Sequence, residues 1–421
     1  MAVPCDDNTS VDPSGNWAIG HKAWTTIFVA FVARLVDMSR TTAFVVVVAV
    51  TTHNALYTAA LAILSIVPTI ILGPWVGVLI DRYRPSTIIS FSLGVQAVVA
   101  AALAYCWLNE YRQIWVLLLA ALILGSTRAF TDNSLNVLLP FVTVSDKIHR
   151  ANGLMSTGQS VSSIAGPALG STLALASPVG LFTGWALSSA VIAMVAIFVL
   201  RTPSFGEAVG TESPARLRDG FVWISHHPPI RKLLIVVTAS NVAYGMLSAV
   251  IALFALETMH LDARLFGLLT STLALAGLAG SALITALSTV RLRTLLWASL
   301  GLQALGFTLL ATTWSIASLF VFYGLIGLAS GMWNVASSTV LMQSIPKDVM
   351  GRVMATYRSI AFLGSPVGSA VGGPLGDVNL RLPLIAASTV TVLSLLVYAR
   401  TPEVRRGTAP DSSGHGPDLI K

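Results

Sequence analysis

Charge is scarce in this chain. Lys, Arg, Asp and Glu make up 10% of its 421 residues against a hydrophobic share of 55%, and the mean hydropathy is +0.78. So few charges cannot cover the apolar surface of a water-soluble fold of this length, which excludes a soluble globular protein and implies an integral membrane protein. Cysteine is nearly missing. Cys5 in a polar N-terminal stretch and Cys106 near a predicted helix end suggest no disulfide framework. The seven His are scattered, and no His, Cys or acid cluster has metal-ligand spacing, so neither metal nor cofactor is expected. The sequence also lacks a Gly-rich phosphate loop with its Lys and any loop large enough for a catalytic domain, which argues against an ATP-driven pump and against a membrane enzyme. The net charge is +7, yet basic residues fall singly or in pairs between apolar runs. No stripe is long enough to follow a nucleic acid backbone. The first 22 residues carry Asp6, Asp7 and Asp12 and lack the basic n-region and short h-region of a cleaved signal, so the first span is expected to stay in the mature protein.

What the sequence has instead is length of apolar run. About 20 apolar residues cross a bilayer as a helix, and twelve such stretches are present, the first over 24–50 and the last over 382–400. Several contain Gly or Pro, as at Gly73-Pro74, Gly166-Pro167 and Pro366, which helix bundles tolerate as kinks. Lys and Arg accumulate on the cytoplasmic side. With the N-terminus inside, eighteen of the 25 basic residues fall in cytoplasmic segments, three (Arg112, Arg264, Arg381) fall outside, and Arg34, Arg40, Arg128 and Arg358 fall within spans. Both termini are therefore expected in the cytoplasm.

A segment from Asp146 to Leu173 reappears without a gap 202 residues downstream, pairing Asp146 with Asp348, Arg150 with Arg352, Gly166 with Gly368 and Gly170 with Gly372. A duplicated half in so apolar a chain points to a carrier with a two-fold repeat, whose substrate site forms where the repeats meet. The expected fold is all-α, twelve transmembrane helices in two pseudo-symmetric six-helix bundles. The expected division is a cytoplasmic N-terminal tail over 1–22, an N-terminal bundle over 23–200, a cytoplasmic linker over 201–232, a C-terminal bundle over 233–400 and a cytoplasmic C-terminal tail over 401–421. Within the linker, Leu217 to Ile224 forms either a short amphipathic helix on the inner membrane surface or a solvated connector.

Two motifs carry a resemblance. Between spans two and three runs Gly77-Val78-Leu79-Ile80-Asp81-Arg82-Tyr83-Arg84, followed by Pro85-Ser86. It resembles the loop signature of the major facilitator superfamily, in which the glycine allows close helix approach and the acid meets the N-terminus of the eleventh helix, closing the inner side. In span five, Gly153, Ser162, Gly166, Pro167 and Gly170 resemble the exporter signature of drug/proton antiporters. Small residues at such intervals let two helices touch backbone to backbone. The stretch from Leu138 to Asn152, followed by Gly166-Pro167, is similar to the branch containing macrolide-efflux and enterobactin-exporter proteins. The resemblance implies an inner gate of Gly77, Asp81 and Arg82. The paired Asp146/Arg150 and Asp348/Arg352, which precede spans five and eleven, read as further gate elements able to reach across the bundle interface.

Charges at membrane depth are costly and usually face a cavity or a partner. Span one holds Arg34 and Asp37, three apart, and span four holds Arg128, Asp132 and Asn136 at intervals of four. The two spans run antiparallel, so Asp37 is expected to face Arg128 and Arg34 to face Asp132. Either this is a permanent network holding the bundle together, or it couples protons, with an Asp protonating when its Arg swings away. On the coupling reading, Asp37→Asn abolishes proton-driven export and leaves the protein folded. Shifted by 202 residues, the span-four ladder becomes Ser330, Asn334 and Ser338, and span seven adds Asn241 and Tyr244, with Trp333 beside Asn334. The resemblance makes spans one, four, seven and ten the cavity lining, with charges from one half and neutral polar groups from the other. Arg40 and Arg358 are expected to snorkel towards span ends, leaving the cavity neutral. The functional expectation is a monomeric secondary transporter in the inner membrane, exporting amphipathic small molecules such as drugs or antibiotics by proton antiport. A siderophore or metabolite exporter of the same fold, and a transporter-like sensor without flux, stay open beside it.

Overall fold

The computed structural model describes residues 20–143, 147–200, 214–287, 290–346 and 349–399, with the side chains of 74, 75, 77, 78, 80–82, 214–218 and 399 left aside. The described residues are overwhelmingly helical and contain no strand. The helices are α1 His21–Thr52, α2 Ala55–Arg82, α3 Pro85–Leu108, α4 Ile114–Val142, α5 Ile148–Ala176, α6 Pro178–Phe198, α7 Pro214–His226, α8 Pro228–Leu253, α9 Phe266–Ala286, α10 Leu292–Ala311, α11 Ile316–Ser344, α12 Met350–Val378 and α13 Leu382–Ala399. A membrane favours this outcome, because a helix satisfies its own backbone hydrogen bonds where no water can.

Boundaries follow local chemistry. Pro85, Pro178 and Pro228 open α3, α6 and α8, where a missing N–H costs nothing. Ser177 ends α5 and caps α6, accepting from Gly180 N at 3.0 Å. His53 turns the chain at φ 52°, and Asn54 caps α2 by accepting from Leu56 N at 2.9 Å.

Helices α1 to α6 pack as one bundle and α8 to α13 as a second, with α7 as a thirteen-residue connector docked on α12. The amphipathic stretch in the linker is therefore helical. Of the twelve bundle helices, nine are long and apolar enough to cross a membrane by length and composition alone. The other three are α5, α12 and α13. Helices α5 and α12 are diluted by Gly and Ser because they turn opposite faces to other helices, α5 to α1 and α9, α12 to α8 and α2. The duplication is visible in the fold. Helices α4 and α11 are both 29 residues long and both boundaries are displaced by 202, and the same holds for α5 and α12.

Glycine seams lock helices inside each bundle. A Cβ on Gly166 would lie 2.5 Å from Met38 Cβ and 3.2 Å from Ser39 N, and one on Gly170 would lie 2.9 Å from Ser39 Cα. Their repeat partners behave alike, Gly368 against Val242 Cα and Gly372 against Met246 Cα, both at 2.9 Å. Backbone cannot step aside as a side chain can. We expect Gly368→Ala to lower stability by about 1–3 kcal/mol in detergent melts. Gly153→Ala, at a position with nothing within 4 Å, should stay within about 0.5 kcal/mol. Gly153 thus departs from the sequence expectation of a tight contact. It stands on the exposed side of α5.

Candidate functional site

At mid-depth of the first bundle, α1 presents Arg34, Asp37 and Arg40 at intervals of three, which places them on one face. Helix α4 presents Arg128 and Asp132 one turn apart opposite them. The structure brings all five together. Arg34 Nη1 donates to Asp132 Oδ2 at 3.1 Å and lies 4.0 Å from Asp37 Oδ2. Arg128 Nε lies 3.0 Å from Asp37 Oδ2 and 3.4 Å from Asp132 Oδ2, donating to the latter, while Asp37 Oδ2 receives no aligned hydrogen bond. Arg40 Nη2 donates to Asp37 Oδ1, and its Nη1 donates to Gln96 Oε1 of α3 at 3.5 Å.

Arg40 corrects the sequence reading, which sent it to a span end. Helix α1 continues to Thr52, so Arg40 stands about twelve residues, roughly 18 Å, from that end, too far for its side chain to reach water. It is 6% exposed and takes part in the network. Arg358 is exposed on α12.

The network has layers. Asp37 is 6% exposed, whereas the Asp132 side chain is 44% exposed. Arg34 and Arg128 lie between these extremes. The α4 ladder continues open at Asn136. Asp37 and Arg40 thus form a closed, mutually neutralised pair, and Arg34, Arg128 and Asp132 form an accessible layer with one surplus positive charge.

The second bundle repeats the ladder without charge. Ser330, Asn334 and Ser338 share a face of α11, with Asn334 and Ser338 exposed and Asn334 Nδ2 3.5 Å from Ser330 Oγ. Asn241 donates to Val237 O at 3.0 Å, and Tyr244 donates to Ile326 O at 3.1 Å. Trp333 does not line this face. It is 5% exposed and packs in the core with Leu295, Leu296 and Leu300, because one residue along a helix turns the side chain by 100°.

Cross-bundle contacts gather at the end formed by the α1–α2 turn, the end of α8 and the start of α9. Asp377 of α12 accepts from Ala55 N at 2.9 Å, so a carboxylate of one bundle caps a helix of the other. Thr58 donates to Ala249 O, and His53 Nδ1 lies 2.7 Å from Glu257 Oε1. Ser171 of α5 donates to Arg264 O at 3.2 Å and accepts from Gly267 N at 3.1 Å. Ser162 donates to Phe31 O at 3.1 Å on the other side of α5, and Pro167 sits within the helix between the two contacts. An Asp377→Ala variant should lose about 1 kcal/mol of cap. Amide exchange over residues 55–60, read by mass spectrometry, should then quicken roughly fivefold.

At the opposite end, Arg352 Nη1 lies 3.4 Å from Asp219 Oδ2, joining α12 to the linker helix, and Gly220 packs against the Arg352 carbonyl. Residues 77–82 form the last turns of α2, with the side chains of Gly77, Asp81 and Arg82 outside the described residues. Asp146 and Asp348 also lie outside them, and Arg150 stands in the first turn of α5. A cavity of about 430 Å³ lies elsewhere, on the opposite face of α1 from the charges, lined by Leu35, Val36, Leu169, Leu173, Leu181 and Trp185 among others. Its walls are apolar, and it holds none of the ionic groups.

Comparison with known proteins bears on this arrangement. A family model described as Major Facilitator Superfamily matches residues 26–369 and 233–420. Macrolide efflux protein A of Streptococcus pyogenes is 21% identical over 366 residues, covering 84% of this chain and 89% of that protein. The protein of the same name from Enterococcus faecalis is 22% identical over 319 residues, covering 73% and 98%. Among solved structures, the nucleoside transporter NupG superposes with a TM-score of 0.74 at 11% identity, covering 90% of this chain and 98% of that one. A bacterial homologue of the iron transporter ferroportin, in an inward-facing state, gives 0.73 at 15% identity with the same coverages.

Proposed function

The chain belongs to the major facilitator superfamily, a multi-pass membrane transporter, and from that premise we propose that it exports amphipathic small molecules, drugs or antibiotics among them, in exchange for protons. The macrolide efflux relatives support the substrate class. The observation that carries the coupling is the unequal exposure of two acids sharing one arginine. Asp132 is open and Asp37 is closed, and Arg128 Nε touches both, at 3.4 and 3.0 Å.

The cycle follows from those distances. With Asp132 ionised, Arg34 and Arg128 hold it and no proton is carried. When the outer solution delivers a proton, an O–H bond forms on Asp132 and its hold on Arg128 is lost. Arg128 then moves fully to Asp37, whose Oδ2 lacks an aligned partner. The freed layer changes its affinity for substrate, and the proton leaves on the inner side as the bundles rock. Rocking would part the contacts around Asp377, Thr58 and His53, at the end that the distribution of basic residues assigns to the outside. On that orientation both termini lie in the cytoplasm and the protein acts as a monomer in the cell membrane.

A second reading, export of an anionic or phenolic metabolite such as a siderophore, is favoured by the surplus positive charge of Arg34, Arg128 and Asp132. Inside-out vesicles separate the outcomes. An acidic interior should drive erythromycin uptake, and nigericin should abolish it. Uptake indifferent to nigericin would end the antiport proposal, and uptake restricted to a catecholate siderophore would move the assignment to the second reading.

A further inference from the structure

Gln303 is a buried polar residue that the export reading leaves unused. It is 1% exposed in the middle of α10, and neither amide atom has an aligned hydrogen-bond partner. Such groups are rare in folded proteins because an unpaired buried amide is costly. The side chains of Gln303 and Ser330 approach the hydroxyl of Tyr244. That hydroxyl donates instead to Ile326 O at 3.1 Å, and the ring meets Phe307 edge-on at 5.8 Å.

The repeat shows what Gln303 stands for. Helices α8 and α10 begin 207 residues after α1 and α3, and α11 begins 202 after α4. At those displacements Asn241, Tyr244, Gln303, Ser330 and Asn334 occupy the positions of Arg34, Asp37, Gln96, Arg128 and Asp132. The second bundle therefore holds an uncharged polar counterpart at each of these five positions. In the first bundle Gln96 reaches Asp37 only through Arg40. In the second, Leu247 replaces Arg40, so the glutamine lies directly behind the phenol.

We propose that Gln303 is a positioning residue for Tyr244, and that the pair forms a subsite reading uncharged acceptor oxygens of the exported molecule. Ligand entry turns the phenol from Ile326 O to a carbonyl, ester or ether oxygen. In that setting the phenol O–H donates to the ligand, and the phenol oxygen accepts from Gln303 Nε2, which gives the amide an aligned partner. The inference rests on the export reading and deepens it. It assigns oxygen recognition to the neutral bundle and leaves charge recognition to the other.

The test measures binding by tryptophan fluorescence on the purified full chain, with erythromycin as an oxygen-rich probe and tetraphenylphosphonium as a probe without acceptor oxygens. Gln303→Leu should weaken erythromycin binding about tenfold, the loss of one oriented hydrogen bond. Binding of tetraphenylphosphonium should stay within about twofold, and the melting temperature should rise by roughly 2–4 °C as the unpaired amide goes. Tyr244→Phe should match the erythromycin loss, and the double variant should be no weaker than either single one. Gln303→Met, which keeps the volume, serves if the Leu variant fails to fold. Equal loss for both probes, additive losses in the double variant, a lowered melting temperature, unchanged erythromycin affinity, or a wild type that does not bind erythromycin would each overturn the proposal. Erythromycin binding without pH-driven flux would sink the antiport reading and leave this one standing.

Discussion

Asp132→Asn is expected to fold and reach the membrane as the wild type does, and to lose pH-gradient-driven export at least tenfold. The side chain is 44% exposed, so its amide can be hydrated and the variant strands no buried charge. Arg34 and Arg128 both keep a contact with Asp37, at 4.0 and 3.0 Å, and this anchors them when Asp132 is neutral. What disappears is the change of charge on which the cycle depends, because an amide is a permanent stand-in for the protonated acid. Downhill counterflow, which needs no proton, should persist near the wild-type rate. The measurement is the ratio of driven to counterflow transport in vesicles. A ratio equal to that of the wild type would remove Asp132 from coupling.

Asp37→Asn is expected to act first on the fold. Asp37 lies within ion-pair distance of Arg34, Arg40 and Arg128 and is almost sealed from water. Removing its charge leaves Arg40 buried without an acid, and breaking one side of a buried pair typically costs about 3–5 kcal/mol. Little folded protein should be recovered, where the sequence reading expected a folded, uncoupled one. The difference arises from Arg40, the third cation, whose partner that reading did not assign. Asp37→Asn with Arg40→Met, which removes the closed pair together, should restore most of the folded yield. Recovery of the single variant at the wild-type level, judged by size-exclusion fluorescence, would show that Asp37 is not the keystone of the network.

The large features were legible because they repeat. A 202-residue displacement in the letters becomes the same displacement in the ends of α4 and α11 and of α5 and α12. The spacing of three and four that puts Arg34 with Asp37, and Arg128 with Asp132, survives folding because helical phase is local. Trp333 departs from its expectation because adjacency in sequence is not adjacency in space, and Gly153 because a small residue at a motif position does not by itself put a partner helix against it. Arg40 was readable, since it continues the spacing of three from Arg34 and Asp37. Gln96 and Gln303 were not, because their meaning depends on which helix packs behind which. The contact between Asp377 and Ala55 joins residues 322 apart, and no periodicity announces it.

Asp377 meets a backbone amide, Thr58 and Ser171 meet carbonyls, and His53 meets a carboxylate. Each of these polar partners can be exchanged for a water molecule with little net loss, whereas the glycine contacts, within the bundles at Gly368 and between them at Gly267 against Ala168 Cα, have no such substitute. On the proposed cycle, parting these polar contacts costs little, and the slower step is the movement of guanidinium groups between the open Asp132 and the closed Asp37. Viscosity and chaotropes at the rim should then hardly alter the turnover rate, whereas replacing Arg128 with Lys, which keeps the charge but shortens and narrows its reach, should slow it markedly.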